Sequence, residues 1–230
     1  MIAYGTTSDG HRDIIGFGVY ANESKETWTA FLNSLAERGL NGLLMITSDA
    51  HDGMLQAISK VFPTVPWQRC QFHFSRNISD KAPKKFQAGI RAELQEMFNS
   101  NTMEEARKKK DEILESYSDV AENAMRCLDE GFESAMTVMQ LPKWMRKYFR
   151  TSNQIERLNK ELKRRSKVIG VFPNDASLVR LMGSVLMERN EQLQTGKAIF
   201  KEATYKELLL SDIPNNLIRL AWEQKNMLAA

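Results

Sequence analysis

The residues of this chain able to do chemistry fall into a few short segments. Asp49 directly follows Leu43-Leu44-Met45-Ile46-Thr47-Ser48, whose continuous apolar run is the pattern of a strand buried on both faces. A carboxylate there stands at the strand's carboxyl end, where α/β sheets bind ligands. Taken alone, the residue is better read as capping a helix that begins near Ala50. Glu156 lies one position from an apolar stripe of Ile155, Leu158, Leu162 and Ile169, with Lys160, Lys163 and Lys167 at i+4, i+7 and i+11. One helical face thus presents a carboxylate among phosphate-seeking ammonium groups, which suits a metal ligand beside a DNA backbone. The commoner use of such residues is i,i+4 ion pairing on an exposed helix. Cys70 and His73 form C-x-x-H within Trp67-Gln68-Arg69-Cys70-Gln71-Phe72-His73. That is half a structural zinc site, which takes four ligands, and neither Cys127 nor His51 nor His11 stands at a telling spacing. Zinc is therefore disfavoured. A thiolate nucleophile lacks an orienting third group, so a buried Cys70 and a locally bonded His73 is the simple reading.

The formal net charge of +3 over 230 residues does not identify a nucleic-acid binder, but the distribution does more. Residues 143–167 hold Lys143, Arg146, Lys147, Arg150, Arg157, Lys160, Lys163, Arg164, Arg165 and Lys167 against only Glu156 and Glu161. Such a stripe is the electrostatic footprint expected for a phosphate backbone. Hydrophobic residues make up 42% and charged residues 27%, which excludes a disordered chain and allows one large domain or two modest ones. No run of about 18 apolar residues occurs, the first residues carry no signal pattern, and two cysteines make no disulfide framework. The expectation is a cytoplasmic protein with no membrane partner.

The elements that must position these residues read as α/β, then mostly α. Ile14–Tyr20 reads as a strand, with Met1–Thr7 as the tail of another and Ser8-Asp9-Gly10 as the turn. Asn22-Glu23-Ser24 caps a helix with Trp28, Phe31, Leu32 and Leu35 on one face, closed by Gly39. Leu43–Thr47 is the next strand. From about residue 50 the chain reads as almost entirely helical. Good helix formers dominate 84–140, Pro142 and Pro173 punctuate the chain, and 175–228 supplies two or three further amphipathic helices.

The order of these segments resembles the mutator-type transposases of bacterial insertion sequences. Asn22-Glu23-Ser24 through Leu40 is similar to the stretch before that family's second catalytic aspartate, and Ser48-Asp49-Ala50-His51-Asp52-Gly53 to its aspartate motif. Gln68–His73 with Arg76 and Asn77 resembles its C-x-x-H signature, whose role is unknown. Thr151–Asn159, including Asn153 and Asn159, with Arg164 and Arg165 resembles the segment bearing its catalytic glutamate, and Val171-Phe172-Pro173-Asn174 the stretch that follows. The match runs from near residue 1 to about residue 195.

The resemblance implies a partial ribonuclease-H-like domain whose first strand is missing, with a large all-helical insertion. The expected divisions are 1–80 for the partial sheet and its helices, 81–148 for the insertion, and 149–230 for the C-terminal helices that include the glutamate helix. It implies Asp49 and Glu156 as catalytic metal ligands and, in a complete site, two Mg²⁺ or Mn²⁺ ions that cut and join DNA by phosphoryl transfer. Arg157, Lys160, Lys163, Arg164, Arg165 and Lys167 are then the DNA-binding residues. The implied partners are transposon ends and target DNA, a homo-oligomer and an upstream transposase segment. In that family the first catalytic aspartate precedes the counterpart of this chain, and Asp9, in a turn, and Asp13, before a strand, are poor substitutes. The expectation is a truncated or split copy without complete metal coordination on its own. The alternatives are a non-catalytic DNA-binding or regulatory fragment, and a helical protein-interaction module derived from the insertion.

Overall fold

The computed structural model describes residues 1–229. In chain order it contains β1 (Ile2–Thr6), β2 (Arg12–Phe17), α1 (Lys25–Glu37), β3 (Ile46–Ser48), α2 (Asp52–Val61) and β4 (Trp67–Arg69). Helices follow: α3 (Gln71–Asp80), α4 (Gln87–Phe98), α5 (Met103–Tyr117), α6 (Glu122–Ala135), a 3₁₀ turn (Thr137–Gln140) and α7 (Lys143–Phe149). The chain ends with α8 (Asn153–Ile169), α9 (Asp175–Gln194), α10 (Glu202–Leu209) and α11 (Ile213–Ala229). A few short strands followed by helices is thus the observed class. It divides into two compact units, one of Met1–Leu43, Asp52–Pro63 and Asn153–Asn216, the other of Leu44–His51, Thr64–Ser152 and Leu217–Ala230.

In the first unit β1 and β2 form an antiparallel hairpin, with Ile2 opposite Phe17 and Thr6 opposite Arg12. The turn is set by Asp9, whose Oδ1 accepts from the Thr7 hydroxyl at 2.5 Å and the His11 N–H at 3.1 Å. That register starts β2 at Arg12 rather than at the expected Ile14. The pairing ends where the Gly18 N–H meets the Met1 carbonyl, leaving Val19 and Tyr20 outside the strand. The free edge of β2 is closed by a side chain of α9: Asn190 Oδ1 accepts from the Ile14 N–H, and its Nδ2 donates to Asp13 Oδ1, both at 2.7 Å. An edge group paired in this way is unavailable to another chain. Helix α1 is capped by Ser24, whose hydroxyl accepts from the Thr27 N–H while the Ser24 N–H donates to Thr27 Oγ1. It packs on α2, burying Phe31, Leu32 and Leu35 against a helix whose buried face is Met54, Ala57 and Ile58; in each helix the three residues are separated by one, three or four positions, as on one helical stripe.

The second unit holds a parallel pair, Ile46 opposite Trp67 and Ser48 opposite Arg69. Two expectations are corrected here. Leu43–Met45 lies outside the strand, and Leu43–Ser48 is only half-buried rather than enclosed on both faces. The stretch read as helical from residue 50 contains β4. The pairing with β3 is flanked by bonds from Ile46 N–H to the Pro66 carbonyl at 3.1 Å and from Cys70 N–H to the Ser48 carbonyl at 2.7 Å. On the opposite side the Gln224 amide imitates a neighbouring strand, accepting from the Trp67 N–H and donating to the Trp67 carbonyl, both at 2.8 Å. The Thr137 hydroxyl donates to the same carbonyl at 2.9 Å.

The main core lies among α3 to α6, built on Phe74, Ile78, Ile90, Leu94, Met97, Ile113, Leu128 and Phe132. Gly131, inside α6, allows its backbone to meet the Phe74 ring; a Cβ there would lie 2.3 Å from Cε2. Arg69 lies over the same ring, its guanidinium carbon 4.5 Å from the centroid and its Nη1 also close to Gly131.

Gln68 joins this core to β4. It is fully buried, accepts from the Val138 N–H at 2.5 Å and donates to the Ala135 carbonyl at 2.7 Å, where α6 gives way to the 3₁₀ turn. Gln68→Ala leaves the Val138 N–H without that acceptor, while the Ala135 carbonyl keeps the Gln71 amide at 2.9 Å; the change is expected to destabilise the unit by roughly 1–3 kcal/mol, read as a lower urea midpoint at unchanged m-value. A loss under about 0.5 kcal/mol, the range of ordinary surface changes, would mean the network does not hold the turn.

Candidate nucleic-acid interface

Asp49 stands exposed just beyond β3, and Cys70 just beyond β4, so the ends of both parallel strands carry a residue singled out in the sequence. The chain before Asp49 is fixed by Ser48, whose hydroxyl accepts from Trp67 Nε1 at 2.8 Å and donates to the Asp49 carbonyl at 2.9 Å. Helix α2 starts at Asp52 rather than Ala50, and among the described residues no hydrogen bond uses the Asp49 carboxylate as its cap. Cys70 is wholly buried. Its sulfur accepts from both the N–H and the hydroxyl of Ser152 at 3.3 Å, and the Gln71 N–H donates to the Arg150 carbonyl at 3.0 Å. Two residues of the C-x-x-H segment therefore hold the chain immediately before α8. His73, in the first turn of α3, is half-buried with its ring edge-on to Phe72 at 5.5 Å. Arg76 and Asn77 lie on the exposed face of α3, with Arg76 3.5 Å from Asp80.

The basic stripe divides in two. Arg146 is folded into the structure, donating to the carbonyls of Leu141, Asn101 and Met139, and Arg150 donates to Asn99 Oδ1 at 2.7 Å; burial lowers the pKa of both. Lys143 bonds Asn101. These cations close the chain around the end of α4. On α8 the pattern differs. Glu156, half-buried, lies in the first turn, where a helix favours negative charge. Arg157, Lys160, Lys163 and Lys167 are exposed, and among the described residues none has an ion pair. Arg164 and Arg165 are engaged by Glu161 at 2.7 and 2.9 Å. Hydrogen bonds from Arg164 first and Arg165 second hold the Glu161 carboxyl down at about 2. Asn153 and Asn159 are exposed on the same helix.

Between α8, α9 and β1 lies a cleft of about 300 Å³, lined among others by Tyr4, Gln154, Arg157, Glu161, Arg165 and Arg189. Burial raises the Tyr4 phenol, and nearby Arg12 and Arg189 oppose that. Nothing in the sequence pointed to Tyr4 or Arg189, which come from a strand and a helix far apart in the chain. The same holds for Gln224. Gln68 and Ser152 had a signal only in lying within the Gln68–His73 and Thr151–Asn159 segments, which gave neither a structural role.

Both Asp49 and Glu156 are hard oxygen donors of the kind Mg²⁺ or Mn²⁺ takes. Among the described residues, no three His, Cys, Asp or Glu side chains come together as could hold a metal ion. A complete ion site is thus not formed by these residues. Nor is any helix among them long and apolar enough to cross a membrane.

The Glu161 pair makes a pH prediction. Its folded pKa is depressed, so the pairing is present above the ordinary carboxylate value of 4.5 and is lost as pH falls toward about 2. In a carboxyl-resolved NMR titration, Arg164→Ala with Arg165→Ala is expected to return Glu161 toward 4.5. An unchanged titration would remove the two arginines as its cause.

Residues 1–196 match the family described as "Transposase, Mutator family". The chain is 42% identical over 193 residues to the transposase for insertion sequence element IS256 in transposon Tn4001 of Staphylococcus aureus, covering 83% of this chain and 49% of that protein. It is 33% identical over 197 residues to the IS1081 transposase of Mycobacterium tuberculosis, covering 86% and 48%. With the ISRM5 transposase of Rhizobium meliloti it shares 34% over 191 residues, covering 83% and 48%. The chain thus spans about half the length of the curated relatives it matches. With a family match across most of its residues and relatives of this identity, the chain belongs to the Mutator family of transposases.

Proposed function

We propose that this chain serves DNA transposition, gripping the DNA backbone through α8 and supplying Asp49 and Glu156 as two of the carboxylates that hold catalytic Mg²⁺ or Mn²⁺. The observation that carries the reading is α8 itself: one carboxylate in its first turn, followed by four exposed cations that have no ion pair among the described residues. Four such charges on one short helix repel each other unless an anion lies against them, and a phosphate backbone is the anion this family handles. Arg164 and Arg165, held by Glu161, join the contact when phosphate competes for them.

The antiparallel hairpin and the parallel β3–β4 pair support a ribonuclease-H-like domain, divided as 1–80 and 149–230, with 81–148 as a helical insertion. The site needs a third carboxylate. Asp9 is spent in its turn with Thr7 and His11, and Asp13 on Asn190 and Gln194. The residue is therefore to be supplied by further polypeptide, upstream in the same transposase or in a separate segment, and assembly as a homo-oligomer on transposon ends and target DNA belongs to the same reading. A second reading follows from the same lack of a third ligand: acting alone, the chain binds DNA without cutting it and regulates transposition by occupying its substrate.

Affinity for duplex DNA tests the grip. Its logarithm is expected to fall linearly with log salt, and Lys160→Ala, Lys163→Ala and Lys167→Ala together to reduce the slope by about 2–3. A slope unaltered by the triple change would remove α8 from the interface. For the chemistry, Asp49→Asn and Glu156→Gln are placed in an active transposase polypeptide that contains this chain. Strand cleavage in Mg²⁺ is expected to drop to background while DNA binding persists; retained cleavage in either variant would withdraw that residue as a ligand.

A further inference from the structure

Helix α8 does not taper into solvent with polar residues. It ends at Ile169, and Gly170, at φ +76°, turns the chain back in a geometry that favours glycine. The Gly170 N–H reaches the Ser166 carbonyl and the Val171 N–H that of Ile169. Asn174 then caps α9, its Oδ1 accepting from the Ser177 N–H at 2.9 Å. The result is a helical hairpin with a tight tip. At that tip Val168 and Val171 are each 85% exposed and Ile169 is 49% exposed. Lone exposed valines need no explanation, but three aliphatic side chains at one tip form a patch.

The occupant is indicated by what stands beside the patch. Lys160, Lys163 and Lys167 run up α8 to it, exposed and without an ion pair among the described residues; at 1.5 Å per residue they span about 10 Å, roughly three base-pair steps of 3.4 Å. The acidic neighbour is Asp175, in the first turn of α9. Protein interfaces are depleted of lysine, and a membrane-seated helix needs a long apolar face, whereas the apolar face of α8 is turned inward at Leu158. Apolar side chains thrust between base steps, flanked by cations on phosphates, are a known way to unstack a duplex.

We propose that Val168 and Val171 form an apolar wedge that enters a base step of duplex DNA, while Lys160, Lys163 and Lys167 hold the adjoining phosphates. This rests on the DNA-binding reading of α8 and adds to it an act on the DNA: local unstacking at steps that yield easily, pyrimidine–purine steps first.

The test uses the full 230-residue chain and duplexes carrying 2-aminopurine at single pyrimidine–purine or purine–purine steps. Binding is expected to raise the fluorescence several-fold, most at the pyrimidine–purine steps. Val168→Ser with Val171→Ser is expected to abolish the rise and leave the salt slope unchanged; both positions are exposed, so circular dichroism should not alter. Salt-dependent binding without a fluorescence rise, or a rise that survives the double change, overturns the wedge and leaves the grip standing. Absence of salt-dependent binding overturns both. If sedimentation of the DNA-free chain shows an oligomer that the double change dissociates, the tip is a contact between copies and the wedge is rejected.

Discussion

The second unit depends on one constraint: a three-residue strand taken into a core must have its backbone paired on both sides. Strand β4 meets it with β3 on one edge and with side chains on the other. The Gln224 amide matches the donor and acceptor of Trp67 as a strand residue would, and Thr137 adds a second donor. Unpaired buried backbone costs about 1–3 kcal/mol per group, so these contacts decide whether the strand exists at all. From it follow the placement of Ser48 and Cys70, and through them the chain that leads to Asp49 and the chain that leads into α8.

Cys70 is best understood in that light. A fully buried sulfur accepting two hydrogen bonds from Ser152 is a clasp between the end of a strand and the start of a helix. In this structure the sulfur fixes the position of Ser152. Gln71 repeats the connection through the backbone of Arg150. At the cysteine of the C-x-x-H segment the physical consequence is local: it secures Ser152, the residue before α8.

Electrostatics are divided just as sharply. The cations before α8 are used internally, on carbonyls and asparagines at the end of α4, while those on α8 face outward. Glu161 holds two arginines, while Lys160, Lys163 and Lys167 have no ion pair among the described residues. A stripe that reads as uniform along the chain is therefore two populations, one bonded within the protein and one exposed on α8.

What the sequence determined by itself was whatever depends on near neighbours. The 3.6-residue period of Ile155, Leu158 and Leu162 announced α8, Ser24 announced the start of α1, Gly39 its end, and the order of the short motifs announced the family. Hairpin β1–β2 was legible too, apart from its boundaries, which the Asp9 turn shifted. Strand β4 was not, because Trp67-Gln68-Arg69 is too short to show a period and buries a glutamine at its centre. Nor could the chain say that Arg146 is structural and Lys163 is not. Asn101 and Met139, which engage Arg146, and Ser152, which engages Cys70, are brought in by packing from distant parts of the chain. Local patterns report which face of an element is apolar; only the tertiary structure decides which polar group meets which, because that choice is made between residues that the sequence does not place side by side.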